Sequence, residues 1–131
     1  MTRYVITPDV ALRLANDEVV VSAEHQLVAP TLLRSQLLSL LYQAAQRGEL
    51  TRKDANRRLR YVRALRVRLL GDSVLQDHAW TIATELGWPD TLDAEYVALT
   101  RLQADALVTL DAEFAASVRD LVPIAPIGAL S

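Results

Sequence analysis

Short apolar segments alternate with longer helix-patterned ones along this chain, and that alternation predicts a layered α/β fold on a mostly parallel sheet. Arg3 to Thr7 reads as a strand stopped by Pro8, and Asp9 to Ala15 as a helix with Val10, Leu12 and Leu14 in imperfect period. Leu27-Val28-Ala29 is a second short strand, with Pro30 placed for the first turn of the next helix. Residues 17–26 stay open, since Val19, Val20 and Val21 suit a strand while Ala23 and Glu24 suit a helix. The clearest element runs from Thr31 to Arg47, where Leu33, Leu37, Leu40, Leu41 and Ala44 share one stripe before Gly48. Thr51 caps a second helix reaching Leu65, so the two make a helical hairpin. Arg66 to Leu70 alternates polar and apolar residues, which predicts a strand ending at Gly71. Ser73 and Gln76 have the spacing of a capping box for a helix closed by Gly87. Asp90 or Thr91 caps the helix after that. The remainder reads as a strand from Ala106 to Thr109, a short helix from Ala112 to Val118, and an extended segment from Val122 to Ile127.

A length of 131 residues suits one domain with a single core. With one Phe in a chain that is 51% hydrophobic, that core is expected to be mainly Leu, Val and Ala. The start lacks the apolar stretch and cleavage site of a secretory signal, no run matches a membrane span, and there is no cysteine, so a cytoplasmic location is expected. Thiolate metal sites are excluded, and His25 and His78 are too widely spaced to hold zinc together. Both read as ordinary surface or edge residues. The net charge of −2 hides an asymmetry: Arg52 to Arg68 holds eight basic residues against Asp54 alone. Such a segment either serves phosphates or solvates a helix face.

Two carboxylates carry the chemistry. Asp93 opens one helix and Asp111 closes the Ala106–Thr109 strand segment, and a parallel sheet can bring such positions together. Each has a plain structural reading as well. Asp93 suits the positive end of a helix dipole, and Asp111 suits the N-cap of the helix starting at Ala112. Two acids meeting at one spot would suit a divalent metal. Tyr96, Trp88 and Trp80 read as packing or interface aromatics, not as platforms for base stacking.

Taken together, these segments resemble the PIN-domain family, and within it the VapC-type toxins of bacterial toxin–antitoxin pairs. The resemblance spans almost the whole chain. It rests on Tyr4-Val5-Ile6 before a polar turn, on Leu27-Val28-Ala29-Pro30 opening a long helix, on Asp93-Ala94-Glu95-Tyr96-Val97-Ala98-Leu99, and on Leu107-Val108-Thr109-Leu110-Asp111. It implies a PIN-like three-layer α/β domain over residues 1–131 with a central sheet and helices on both faces. The activity implied is that of a Mg2+- or Mn2+-dependent endoribonuclease, in which four acids at the open ends of parallel strands hold the metal.

This chain departs from that pattern at two of the four positions, where Thr7 and Gln36 stand in place of acids. Neutral oxygens are poorer ligands and cannot act as general bases. Asp93 and Asp111 match the remaining two. Residues 7 and 9 of an extended chain point to the same side, so Asp9 is the candidate substitute ligand, with Asp90 beside Asp93 and Thr109 placed to orient Asp111. Arg57, Arg60 and Arg63 are candidates for an RNA backbone or an acidic partner. By resemblance the partners are RNA, a VapB-like antitoxin lying across the cleft, and a second copy paired through the helical hairpin. The expected function is a VapC-like ribonuclease with weakened activity, the alternative being an inactive PIN-fold protein that binds RNA or a protein.

Overall fold

The structure, a computed structural model, describes residues 1–131. Five strands form one sheet: β1 (Thr2–Ile6), β2 (His25–Pro30), β3 (Arg68–Leu70), β4 (Ala106–Val108) and β5 (Ile124–Ala125). Their order is β3-β2-β1-β4-β5, and every neighbouring pair is parallel, so the sheet is wholly rather than mostly parallel. Six helices connect them: α1 (Pro8–Asn16), α2 (Leu33–Gln46), α3 (Arg52–Ala64), α4 (Ser73–Leu86), α5 (Leu92–Gln103) and α6 (Ala112–Val118). From β1 the chain steps outward through β2 to β3, then crosses back to the other side of β1 for β4 and β5. Right-handed crossovers therefore place α1, α2 and α3 on one face and α4, α5 and α6 on the other. The packing agrees: α1, α2 and α3 touch one another, while α5 lies on β1, β2 and β4 and carries α4.

The core follows from this layering. Val5 and Ile6 of β1, Val28 and Ala29 of β2, and Leu107 and Val108 of β4 are all but inaccessible, because helices cover both faces of these strands. Val10 and Leu14 of α1 pack into the same cluster as Val97 and Leu99 of α5. No helix is long and apolar enough to cross a membrane.

Several local expectations need correction. Pro30 ends β2, and α2 begins at Leu33 after a turn at Thr31 and Leu32. Residues 17–24 form neither strand nor helix. Their backbone is satisfied piecemeal instead, by Val19 N–H to Leu14 C=O, Ser22 N–H to Leu130 C=O, and the Tyr61 hydroxyl donating to Val19 C=O. Strand β3 starts at Arg68 because Arg66 adopts a left-handed conformation that ends the α3 turn. The α4 cap is Asp72, whose carboxylate accepts the Leu75 N–H, so Ser73 is already helical. Before α5, Asp90 accepts the Leu92 N–H while the Thr91 hydroxyl makes no cap. The Thr51 cap stands as expected and forms a reciprocal box with Asp54.

These placements separate core from cap energetics. Leu107→Ala empties a fully buried site and is expected to cost about 2–5 kcal/mol in urea denaturation. Thr51→Ala removes one exposed cap and is expected to cost about 1 kcal/mol. Similar losses for the two would contradict the layered core.

Candidate functional site

The reversal of strand order between β1 and β4 opens a notch at the C-terminal ends of these two strands, the place where parallel sheets bind ligands. The pairing of Ile6 with Val108 sets the depth of the notch. One residue further on, the Thr7 N–H donates to Val108 C=O at 3.3 Å and the Thr7 hydroxyl reaches the same carbonyl. Thr7 is thus buried at the base of the notch. The chains leaving β1 and β4 carry Asp9 and Asp111, and the first turn of α5 brings Asp93 alongside.

Asp9 is held by three donors. One carboxylate oxygen accepts from the Thr7 hydroxyl and from its neighbour's N–H at Val10 (2.9 Å), and the other accepts the Leu110 N–H at 3.1 Å. The last bond fastens the turn after β1 to the turn after β4. With about two lone pairs per oxygen, these bonds leave one direction open on the carboxylate. Asp111 is committed as well: it is the N-cap of α6 and accepts the Phe114 N–H at 3.0 Å. Thr109 holds the Asp111 backbone by accepting its N–H at 3.1 Å.

Asp93 is the acid left without a hydrogen-bond donor from the chain. Partial burial, reinforced by the negative charges of Asp90, Asp111 and Asp9, keeps its carboxyl above the ordinary value. The four acids therefore share one electrostatic neighbourhood, as the sequence pattern led one to look for. Yet no three Asp, Glu, His or Cys side chains anywhere in the chain are grouped so as to hold a metal ion.

The Gln36 position reveals a contact that sequence reasoning missed. Tyr96, wholly buried on α5, donates its hydroxyl to Gln36 Oε1 at 2.6 Å. Burial, then the charges of Glu95, Asp93 and Asp9, push this hydroxyl far above the usual tyrosine range, so it stays a donor. Gln36 comes from α2 on one face of the sheet and Tyr96 from α5 on the other. The bond thus ties the two helix layers together beside the notch. The only sequence signal was a tyrosine on an otherwise aliphatic helix face, which reads equally well as core. Trp88 and Phe114 pack with ring centroids 5.9 Å apart, joining the segment before α5 to α6 and flanking the acids.

The arginine candidates are separated by the structure. Arg57 pairs with Asp54 at 3.0 Å, Arg60 is exposed, and Arg63 lines a groove between α2 and α3.

The raised Asp93 value has a consequence for stability. An acid whose folded pKa is raised contributes fully below the unfolded pKa, and the contribution is lost as pH rises through the folded value. Asp93→Asn is expected to raise the thermal midpoint at neutral pH, by a few degrees or less because Asp93 is partly hydrated, and to change it little below about pH 3. A lower midpoint at neutral pH would mean that this charge is stabilised and not crowded.

No protein-family model matches this chain, and no curated protein matches it. Among solved structures it is similar to PAE2754 from Pyrobaculum aerophilum, with a TM-score of 0.74 and 20% sequence identity over 98% of this chain and 92% of that one. At that identity the likeness is one of fold: the three-layer arrangement around a parallel sheet is shared along nearly the full length of both chains.

Proposed function

We propose that this chain is a VapC-like PIN-domain protein, derived from Mg2+- or Mn2+-dependent endoribonucleases of toxin–antitoxin pairs, in which cleavage is weakened or lost and binding remains. The cytoplasm is the compartment that suits a cysteine-free chain of this kind. One observation carries the reading. The two positions where that family places acids are filled by neutral side chains, and each is tied into the protein's own hydrogen bonds: Thr7 to Asp9 and Val108, Gln36 to Tyr96.

Those bonds change what the notch can do. An acid at position 7 or 36 would add negative charge beside Asp93, which a cation would have to offset. The neutral pair adds no charge for a cation to offset, and the charge left in the notch is that of the aspartates. Asp93 keeps an exposed carboxylate able to accept hydrogen bonds from ribose hydroxyls or a partner's cationic side chain. The crowding of Asp93 with Asp90, Asp111 and Asp9 favours a remnant of a four-acid site over an unrelated surface.

The test is to put the acids back. Thr7→Asp combined with Gln36→Glu is expected to make the protein bind Mn2+, seen as a thermal midpoint that rises with the metal in the variant and not in the parent. Cleavage of single-stranded RNA by the variant should exceed that of the parent by at least roughly a hundredfold, the contribution typical of a restored general base. A parent that cleaves as fast as the variant overturns the weakened-site reading. A variant that folds but gains neither metal response nor cleavage overturns descent from a four-acid nuclease.

A further inference from the structure

We infer that the hollow between the 17–24 loop and the end of α3 binds a small amphipathic carboxylate, a straight-chain fatty acid of medium length. The hollow takes in His25, which opens β2 and pairs with Thr2 of β1, so it lies at the opposite end of the sheet from the acidic notch. The inference is independent of what the notch does.

The hollow measures about 750 Å³, a volume suited to a small ligand. Of its 13 lining residues 9 are hydrophobic, so an apolar body has to fill most of it. Val19, Val21, Leu27 and Leu65 contribute to its walls, and Val20, also in the lining, is 85% exposed. Though irregular, the loop is tied down: the Tyr61 hydroxyl donates to Val19 C=O and the Ser22 N–H to Leu130 C=O. A wall anchored in this way is formed before a ligand arrives, which lowers the ordering cost of binding.

Two polar groups decide what the ligand is. Arg66 holds a left-handed backbone with φ of 55°, a conformation that glycine adopts freely and other residues rarely do. Its side chain is exposed, lines the hollow and has no carboxylate partner, since the ion pairs of the chain are Arg47–Glu49 and Arg57–Asp54. No Asp or Glu lines the hollow either. His25 Nδ1 is the one buried side-chain polar atom of the chain without a hydrogen-bond partner, and leaving it unmet is costly. The ring packs edge-on against Tyr4 and is only half-buried, so a turn about Cβ–Cγ is the motion that offers this nitrogen to a ligand. One guanidinium and one imidazole suit a single carboxylate, while the valines and leucines cover an alkyl chain. Phosphates and nucleic acid would leave the apolar walls bare. An alkylammonium would meet Arg66 with like charge.

The test titrates the full chain with octanoate, hexanoate and octylamine, each below its micelle concentration, by calorimetry and by amide shifts in NMR. Octanoate is expected to bind, hexanoate to bind about tenfold more weakly for want of two methylenes, and octylamine not to bind. The shifts should cluster at residues 19–27 and 64–66. Arg66→Gly suits the backbone better than arginine does, and His25→Phe keeps a ring against Tyr4 without the unmet nitrogen. Both variants are expected to melt no lower than the parent. Arg66→Gly should nevertheless lose at least about tenfold in octanoate affinity, and His25→Phe somewhat less. Binding lost without stability lost is what a merely structural role would not produce. The inference is overturned by no octanoate binding at millimolar concentration, by equal binding of octylamine, or by full affinity in Arg66→Gly. Shifts of the parent that fall elsewhere overturn it too, however either variant folds.

Discussion

Strand β1 is the constraint on which the rest of this molecule depends. It is hydrogen-bonded to β2 on one side and β4 on the other, both in parallel, and helices seal it from above and below. Parallel neighbours cannot be joined by a tight turn, so each pairing demands a crossover with a helix. Because β1 is also where the winding direction reverses, the helices before and after that reversal go to opposite faces. The gap they leave at the strand ends is the notch. Its location is therefore a consequence of topology, and its chemistry is whatever the first residues after β1 and β4 supply.

What they supply here is a set of internal bonds. Asp9 fastens the two turns together through the Leu110 N–H, and Thr7 seals the base of the notch through Val108. Tyr96 and Gln36 link the helix layers at the same end of the sheet. Polar groups in such a place are costly when left unpaired, and these are paired with each other. Charge stays crowded at Asp93, where partial burial and then the neighbouring acids keep the carboxyl above its ordinary value. A site kept for catalysis commonly retains strain or unmet charge. Here most of the polar groups are met by partners within the chain, and the Asp93 carboxylate is the exception.

The protein thus presents surfaces of opposite character. The notch at the sheet end is acidic, with Asp9, Asp90, Asp93 and Asp111, whereas the outer groove of the hairpin is apolar and rimmed by arginine. The modest net charge of −2 is the sum of these and describes neither. An electrostatic division of this kind orients approaching partners, since each surface repels what the other attracts.

The α/β class, the hairpin and its Thr51 cap, the Gly87 stop and the α6 boundaries were all legible in the sequence. Apolar periodicity and capping chemistry are local, and they act within a few residues. Segment 17–24 was not legible, because Val19 is held by bonds to Leu14 and Tyr61 and Ser22 by a bond to Leu130, which no local pattern reveals. The sequence also marked out Asp93 and Asp111 and the neutral residues at 7 and 36. Only the tertiary structure decided what those residues do. Whether a carboxylate is a free ligand, a helix cap or a latch depends on which N–H groups lie within about 3 Å of it, and for Asp9 the decisive donor is a hundred residues away, at Leu110. Residue type determines which bonds a side chain can make, and the fold determines which of them are already taken.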